Sequence, residues 1–405
     1  MIRYHAAWIL PISGPPIRDG WIVVDRGRIA AVGDGLEAVP NPSIQDADLG
    51  HVAVLPGLVN AHTHLELSYL RDEIPPAAAF VTWVRGVLTA RRRAPDPRAP
   101  AIVEAVANGI DEAVRCGTAL VGDISNTLVT FEPLAASPLA GVVFYELIRF
   151  SAREPDAIVE EACEQIARLP PSGRVRASLA AHAPYSVAPG LFRAIRRAID
   201  RHPGAPGSVH LSESVEEVEF IRTAGGAWRA LLEDLGAWDP AFAAPGVSPV
   251  RYLDESGFLD SRMLAVHGVQ MTADDLARLA ARGVTLVTCP RSNGHTGAGV
   301  PPIERFYGAG VRVAVGTDSL ASAPDLNVFA ELAALRALAP SVPASWLLAS
   351  ATAEGARGLG FGGEYGTIEP GKVARLIAVA VPPGTADVEE YLMTGIQPEQ
   401  VRWVA

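Results

Sequence analysis

The sequence predicts an α/β fold, a (β/α)8 TIM barrel carrying a small β-sandwich-like domain built from both chain ends. Three observations lead there. Eight short apolar runs alternate with segments of helical period between residues 51 and 365. Stretches rich in Val, Ile and Trp, punctuated by glycine, occupy residues 1–50 and 366–405. Five histidines stand at the ends of the apolar runs, the rim on which barrel sites are built. A doubly wound open sheet shares the alternation, and the histidines on one rim are what favour the closed barrel.

In chain order, residues 6–11, 21–25 and 28–32 read as short strands, with Gly14, Gly20, Gly27 and Gly33 between them. That is hairpin grammar, with no room for a helix of ordinary length. The barrel strands are expected at 52–59, 118–122, 141–145, 175–180, 207–211, 263–266, 284–288 and 311–315. Amphipathic segments at 101–115, 156–169, 189–200, 215–223 and 273–281 separate them. Buried strands alternating with such helices imply parallel βα units. Residues 67–97 and 228–257 are insertions in βα connections, and the arginine run 91–93 in the first reads as a solvated helix end. The last forty residues return to strands, at 373–379 and 401–405. The expected domains are therefore 1–50 with 366–405, and 51–365.

Composition removes several classes. Hydrophobic residues make up 49% and charged residues 20% of 405, a globular balance. A net charge of −11 argues against nucleic acid or an anionic membrane as partner. Three cysteines without CxxC spacing make no disulfide framework. The opening residues lack the long apolar stretch of a secretory signal, and no run of eighteen apolar residues occurs. A soluble cytoplasmic protein is the expectation, with a C2 homodimer as the commonest assembly.

The chemistry gathers on the histidines. His62 and His64 lie two apart behind an apolar run, so both can face the barrel axis as metal ligands. His182, His210 and His267 end the fourth, fifth and sixth strands. Glu213 follows His210 by three residues, and its competing role is a solvated helix start, since Glu216, Glu217 and Glu219 come next. Asp318 follows the eighth strand, where a carboxylate is costly unless paired or coordinated, and its competing role is a helix N-cap.

With these residues in view the chain resembles the amidohydrolase superfamily, in its branch of heterocycle and nucleoside aminohydrolases. The matching segments are PGLVNAHTHLE at 56–66, HAPYSVAP at 182–189, HLSESVEEVEF at 210–220, VHGVQMT at 266–272, CPRSNGHTG at 289–297 and VGTDSLAS at 315–322. The resemblance implies one divalent metal, Zn²⁺ or alternatively Fe²⁺, on His62, His64, His210 and Asp318. It implies Glu213 as proton shuttle, His267 polarising substrate, and Asp318 orienting the attacking water. His182 corresponds to a residue facing substrate. The carboxylated lysine of two-metal members has no counterpart, and Arg375 replaces an aspartate usual near the C-terminus. The reaction implied is hydrolytic deamination of an aminated purine-type heterocycle or nucleoside, although the same toolkit also hydrolyses amides and displaces chloride.

Pocket candidates in the insertions and later loops are Glu66, Trp83, Tyr145, Glu146, Arg149, Tyr185, Arg291, Asn293 and His295, each of which ordinary loop packing would equally explain. Arg149 and Arg291 suit a carboxylate. With Glu66-Leu67-Ser68 and the CPRSN loop, they make the chain similar to deaminases of 6-amino-6-deoxyfutalosine, on a route to menaquinone. Adenosylhomocysteine, methylthioadenosine, adenosine, guanine, cytosine and triazines are the alternatives. A non-catalytic metal-binding relative would be expected to have lost part of the ligand set.

Overall fold

A computed structural model of the chain describes residues 1–35 and 44–405. The N-terminal part contributes β1 (Ile2–Ile9), β2 (Ile17–Asp25), β3 (Arg28–Gly33), β4 (Gln45–Asp48) and β5 (Val52–Pro56). Arg26 and Gly27 join β2 to β3, both at positive φ (46° and 74°). This tight turn matches the twist of the flanking antiparallel strands. The barrel follows as β6 (Leu58–Thr63), β7 (Thr118–Ser125), β8 (Ala140–Leu147), β9 (Val175–Ala181), β10 (Gly207–Leu211), β11 (Met263–His267), β12 (Thr285–Thr288) and β13 (Arg312–Val315). The chain then returns through β14 (Leu376–Ala380) and β15 (Val401–Trp403).

Strands β6 to β13 pair in parallel in chain order. A parallel bridge between Thr63 and Asp318 closes the ring, and the Asp318 N–H donates to the His62 carbonyl at 3.1 Å. Val59, Leu120, Val142, Leu264, Val287 and Ala314 fill the interior against Leu359 and Phe361. Closure needs Gly316: a Cβ there would lie 2.6 Å from the His62 carbonyl oxygen and 2.8 Å from its Cβ.

The terminal strands form one mixed sheet, ordered β15-β14-β5-β1-β2-β3, with β4 beside β1. Residues 371–374 bond back onto the β2–β3 hairpin just before the chain enters β14. The sheet therefore curls over a small core of Ile9, Ile22, Ile29, Val54 and Leu376. Its other face, with Ala53, Leu55, Ile377 and Val379, joins the main core around the barrel. The alternation of Val52 and Val54 against Ala53 and Leu55 is the period-two pattern of a strand buried on both faces.

One expected boundary moves. The apolar run 52–59 is two strands: β5 belongs to the terminal sheet and β6 to the barrel. The chain passes between them at Gly57, where a Cβ would lie 2.5 Å from that of Ala119. Both strands are buried throughout, so no polar break marks the passage. The two insertions fold as helices Phe80–Arg93 and Gly226–Asp234, which meet above the barrel mouth through Phe80 on Trp228 and an ion pair of Arg85 with Asp234 at 2.6 Å. No helix among the described residues is long and apolar enough to cross a membrane.

Candidate active site

The ends of β6, β10 and β13 converge. His62, buried in β6, has no hydrogen-bond partner on either ring nitrogen. Its Nε2 lies 3.7 Å from Asp318 Oδ1, and His64 Nε2 lies 3.5 Å from the same oxygen. His210 Nδ1–H donates to the His182 carbonyl at 2.9 Å, which leaves Nε2 unprotonated, and that atom lies 3.3 Å from His64 Nε2. Asp318 Oδ2 is occupied, accepting from Ser292 Oγ at 2.5 Å and Ser322 Oγ at 3.2 Å. What remains is three imidazoles and one free carboxylate oxygen around His62, whose orphaned nitrogens would be costly if nothing occupied them. This donor set suits zinc or ferrous iron.

Burial keeps the imidazoles in the ligand form. Desolvation, reinforced by neighbouring rings, holds His62 and His267 well below the ordinary histidine value. For the same leading reason His64 falls to about 3, and His182 and His210 to about 4. Three side chains of the site leave strand ends with left-handed backbone: Ser212 (φ 52°), His267 (78°) and Asp318 (59°). Outside glycine that conformation costs on the order of 1–3 kcal/mol and persists where the fold over-determines it.

Glu213 is buried, with Oε1 3.5 Å from His267 Nε2. It is no solvated helix residue. Burial, then the negative charges of Asp318, Glu217 and Glu216, pushes its carboxyl well above the usual range. Glu217 is fully buried and accepts from the N–H groups of Ser212 (2.9 Å) and Glu213 (2.8 Å), clamping the turn that carries Glu213.

A cavity of about 530 Å³ leads from this cluster to the surface. Of the candidates, Trp83, Glu146, Arg149, His182 and Tyr185 line it. Tyr185 stacks on Trp228 with ring centroids 3.6 Å apart. Glu146 Oε2 accepts from Asn126 Nδ2 at 2.7 Å, while its Oε1 has no hydrogen-bond partner among the described residues.

Other expected pocket residues stand elsewhere. Arg291 turns away from the cavity: Nε donates to Glu331 Oε1 at 2.6 Å and Nη2 to Asp325 Oδ1 at 2.7 Å. A guanidinium so engaged is a structural clamp, not a carboxylate receptor. His295 bonds the Ile74 carbonyl at 2.9 Å and Asn293 bonds His267 at 3.0 Å, both outside the cavity wall. Tyr145 donates to Gln165 on the barrel exterior. Glu66 lies behind the wall, accepting from Ser125, Asn126 and Thr127 and pairing with Arg91 at 3.3 Å.

Arg91 itself lines the cavity, against the reading of its run as solvated. Phe80, Val84, Val87 and Arg91 fall on one face of their helix, a spacing visible in the sequence. Ser292, Ser322 and Glu217 carry no such signal, since nothing in their spacing tells a buried carboxylate partner from a surface one.

The comparisons with known proteins agree with this geometry. The Amidohydrolase family matches residues 53–398. An aminodeoxyfutalosine deaminase of Deinococcus radiodurans is 33% identical over 355 residues, covering 82% of this chain and 81% of the relative. A 5-methylthioadenosine/S-adenosylhomocysteine deaminase of Moorella thermoacetica is 31% identical over 410 residues, covering 95% and 88%. The crystal structure of an adenosine deaminase from Xanthomonas campestris with bound zinc superposes with a TM-score of 0.82 at 27% identity, covering 99% of this chain and 90% of that one. A match spanning the barrel strands, the histidine cluster and the returning β14 leaves one assignment: this chain belongs to the amidohydrolase family.

Proposed function

We propose that the protein is a metal-dependent hydrolase that deaminates a purine-type nucleoside, taking water and releasing ammonia. One observation carries this reading. Buried Glu213 stands beside His267 on the wall of the cavity, at the cluster of His62, His64, His210 and Asp318. Those four residues would hold one Zn²⁺, with Fe²⁺ as the alternative. When bound, such an ion supplies Lewis acidity that brings the ionisation of water toward neutral pH.

The chain's own groups do the rest. Asp318, with Oδ2 tied down by Ser292 and Ser322, presents Oδ1 to the ion and so helps orient the attacking water. Glu213 gives its proton to the ring nitrogen next to the amino-bearing carbon, takes a proton from the attacking water and passes it to the departing amine, and is reprotonated by the added hydroxyl as ammonia leaves and an oxo group remains. Relay through a placed carboxyl is worth roughly 10²–10⁴-fold. His267 stabilises charge growing at the attacked centre.

For the substrate, 6-amino-6-deoxyfutalosine is the reading we favour. Phe80, Trp83 and Trp228 line the same cavity and would suit a second ring, and Arg149, also on its wall, pairs with no carboxylate among the described residues. The similarity to the Deinococcus radiodurans relative points the same way. Methylthioadenosine or adenosylhomocysteine is the second reading, supported by the Moorella thermoacetica relative. An ammonia-release screen over these three with adenosine, guanine and cytosine tests both. The largest kcat/KM on guanine or cytosine would overturn the nucleoside reading. The enzyme is expected to act as a cytoplasmic homodimer, which light scattering would check.

A further inference from the structure

The donors around His62 offer two overlapping ways to hold an ion. His62, His64 and Asp318 form one set, and His62, His210 and His267 form another, each with its ligand atoms within 4.8 Å of one another. Distance alone does not say why His267 should stand apart from ligation. Its Nδ1 lies 3.0 Å from Asn293 Nδ2. An amide nitrogen has only hydrogens to offer, so Nδ1 must accept. The proton of the neutral ring then sits on Nε2, the nitrogen left for the cluster and for Glu213 Oε1 at 3.5 Å.

We infer that Asn293 is a positioning residue that holds His267 as its Nε2–H tautomer, making it a hydrogen-bond donor to the reacting centre and withdrawing it from the metal ligands. The amide is itself held. Asn293 is fully buried in the helix Pro290–Thr296, and its backbone N–H donates to the Cys289 carbonyl at 3.0 Å. Just before Asn293, Arg291 ties that helix to Glu331 and Asp325, and Ser292 bonds Asp318. The helix after β12 thus orients both the carboxylate that is left free to ligate and the imidazole that is kept from doing so. Asn293 Oδ1 is buried without a partner among the described residues. A leucine of similar size would leave no such orphan, so the site keeps the amide for what its nitrogen does.

The test reads the tautomer directly. Protein labelled with ¹⁵N-histidine, metal-free and zinc-loaded, is examined by long-range ¹H–¹⁵N correlation at neutral pH, with His267 assigned by its loss in His267→Gln. The wild type should show Nε2 protonated and Nδ1 bare. Asn293→Asp puts an acceptor-only group of nearly the same shape beside Nδ1, so the proton should move to Nδ1, while Asn293→Ala should remove the preference. On the deaminase reading, kcat of the Asp variant should fall about 10–100-fold with KM changed far less. Zinc titration of the Asp variant should show a second or altered site where the wild type takes one equivalent. Nδ1–H in the wild type, which is what an amide turned the other way would produce, overturns the inference without any variant. So does an unchanged tautomer in folded Asp and Ala variants. If the tautomer is as stated but no substrate is turned over, the deaminase reading fails and this inference stands.

Discussion

At the scale of single residues, the environment assigns different tasks to similar groups. Asp318 and Glu213 are both buried carboxyls, yet Asp318 has one oxygen fixed by two serines, while burial and then neighbouring negative charges push the Glu213 carboxyl well above the usual range. We expect Glu213→Gln to bind metal as the parent does, by elemental analysis, while kcat falls roughly 10²–10⁴-fold. Activity within about threefold of the parent would remove Glu213 from the relay. The two arginines first considered for a carboxylate now separate. Arg149→Ala should raise KM for a carboxylated nucleoside by about 10-fold or more, the scale of one charge-assisted bond, and leave adenosine nearly unaffected. Arg291→Ala should show no such selectivity. It strands fully buried Glu331, so denaturant titration should report a loss of about 3–5 kcal/mol, shared by all substrates as reduced folded protein.

At the scale of elements, the site depends on how closely β13 approaches β6. Gly316 permits that contact, and no side chain fits because the obstacle is the His62 backbone itself. Gly316→Ala should therefore push β13 outward, lowering both metal content and thermal midpoint, and the two should fall together across purified fractions. Full metal occupancy in a folded Gly316→Ala variant would mean that the ring can yield there. The helices Phe80–Arg93 and Gly226–Asp234 act on the other side of the cavity. They lie in segments recognisable as insertions, but only their mutual packing turns them into a wall, while Asn126 and Glu66 hold Arg91 inward.

At the scale of the molecule, the expected ligands come from β6, β10 and β13, and so from the first, fifth and eighth strands of the ring. An ion bound there ties together parts of the chain more than two hundred residues apart. Chelation should lower the thermal midpoint, and restoring free zinc to about 100 times its Kd should return roughly 2.7 kcal/mol of stability. Identical calorimetric scans with and without metal would argue against a single site bridging these strands. The terminal sheet shares its Leu55 and Ile377 face with the main core, so the two units should unfold in one transition.

Much of this was legible in the sequence because it is periodic or local. Eight apolar runs alternating with helical segments specify parallel βα units, since nothing else buries both patterns. His62, His64, His210, His267 and Asp318 stand at strand ends, and a closed barrel gathers all strand ends on one rim whatever the loops do. The rest depended on contacts between distant segments. Arg291 and Arg149 read alike in the sequence, and only the positions of Glu331 and Asp325 turn one into a clamp and leave the other at the cavity. The passage at Gly57 was hidden because strands buried in two different layers carry the same apolar signal. The raised carboxyl of Glu213 and the hydrogen bond between Asn293 and His267 lay beyond reach for a related reason. Burial and proximity set both, and these exist only once the whole ring has closed.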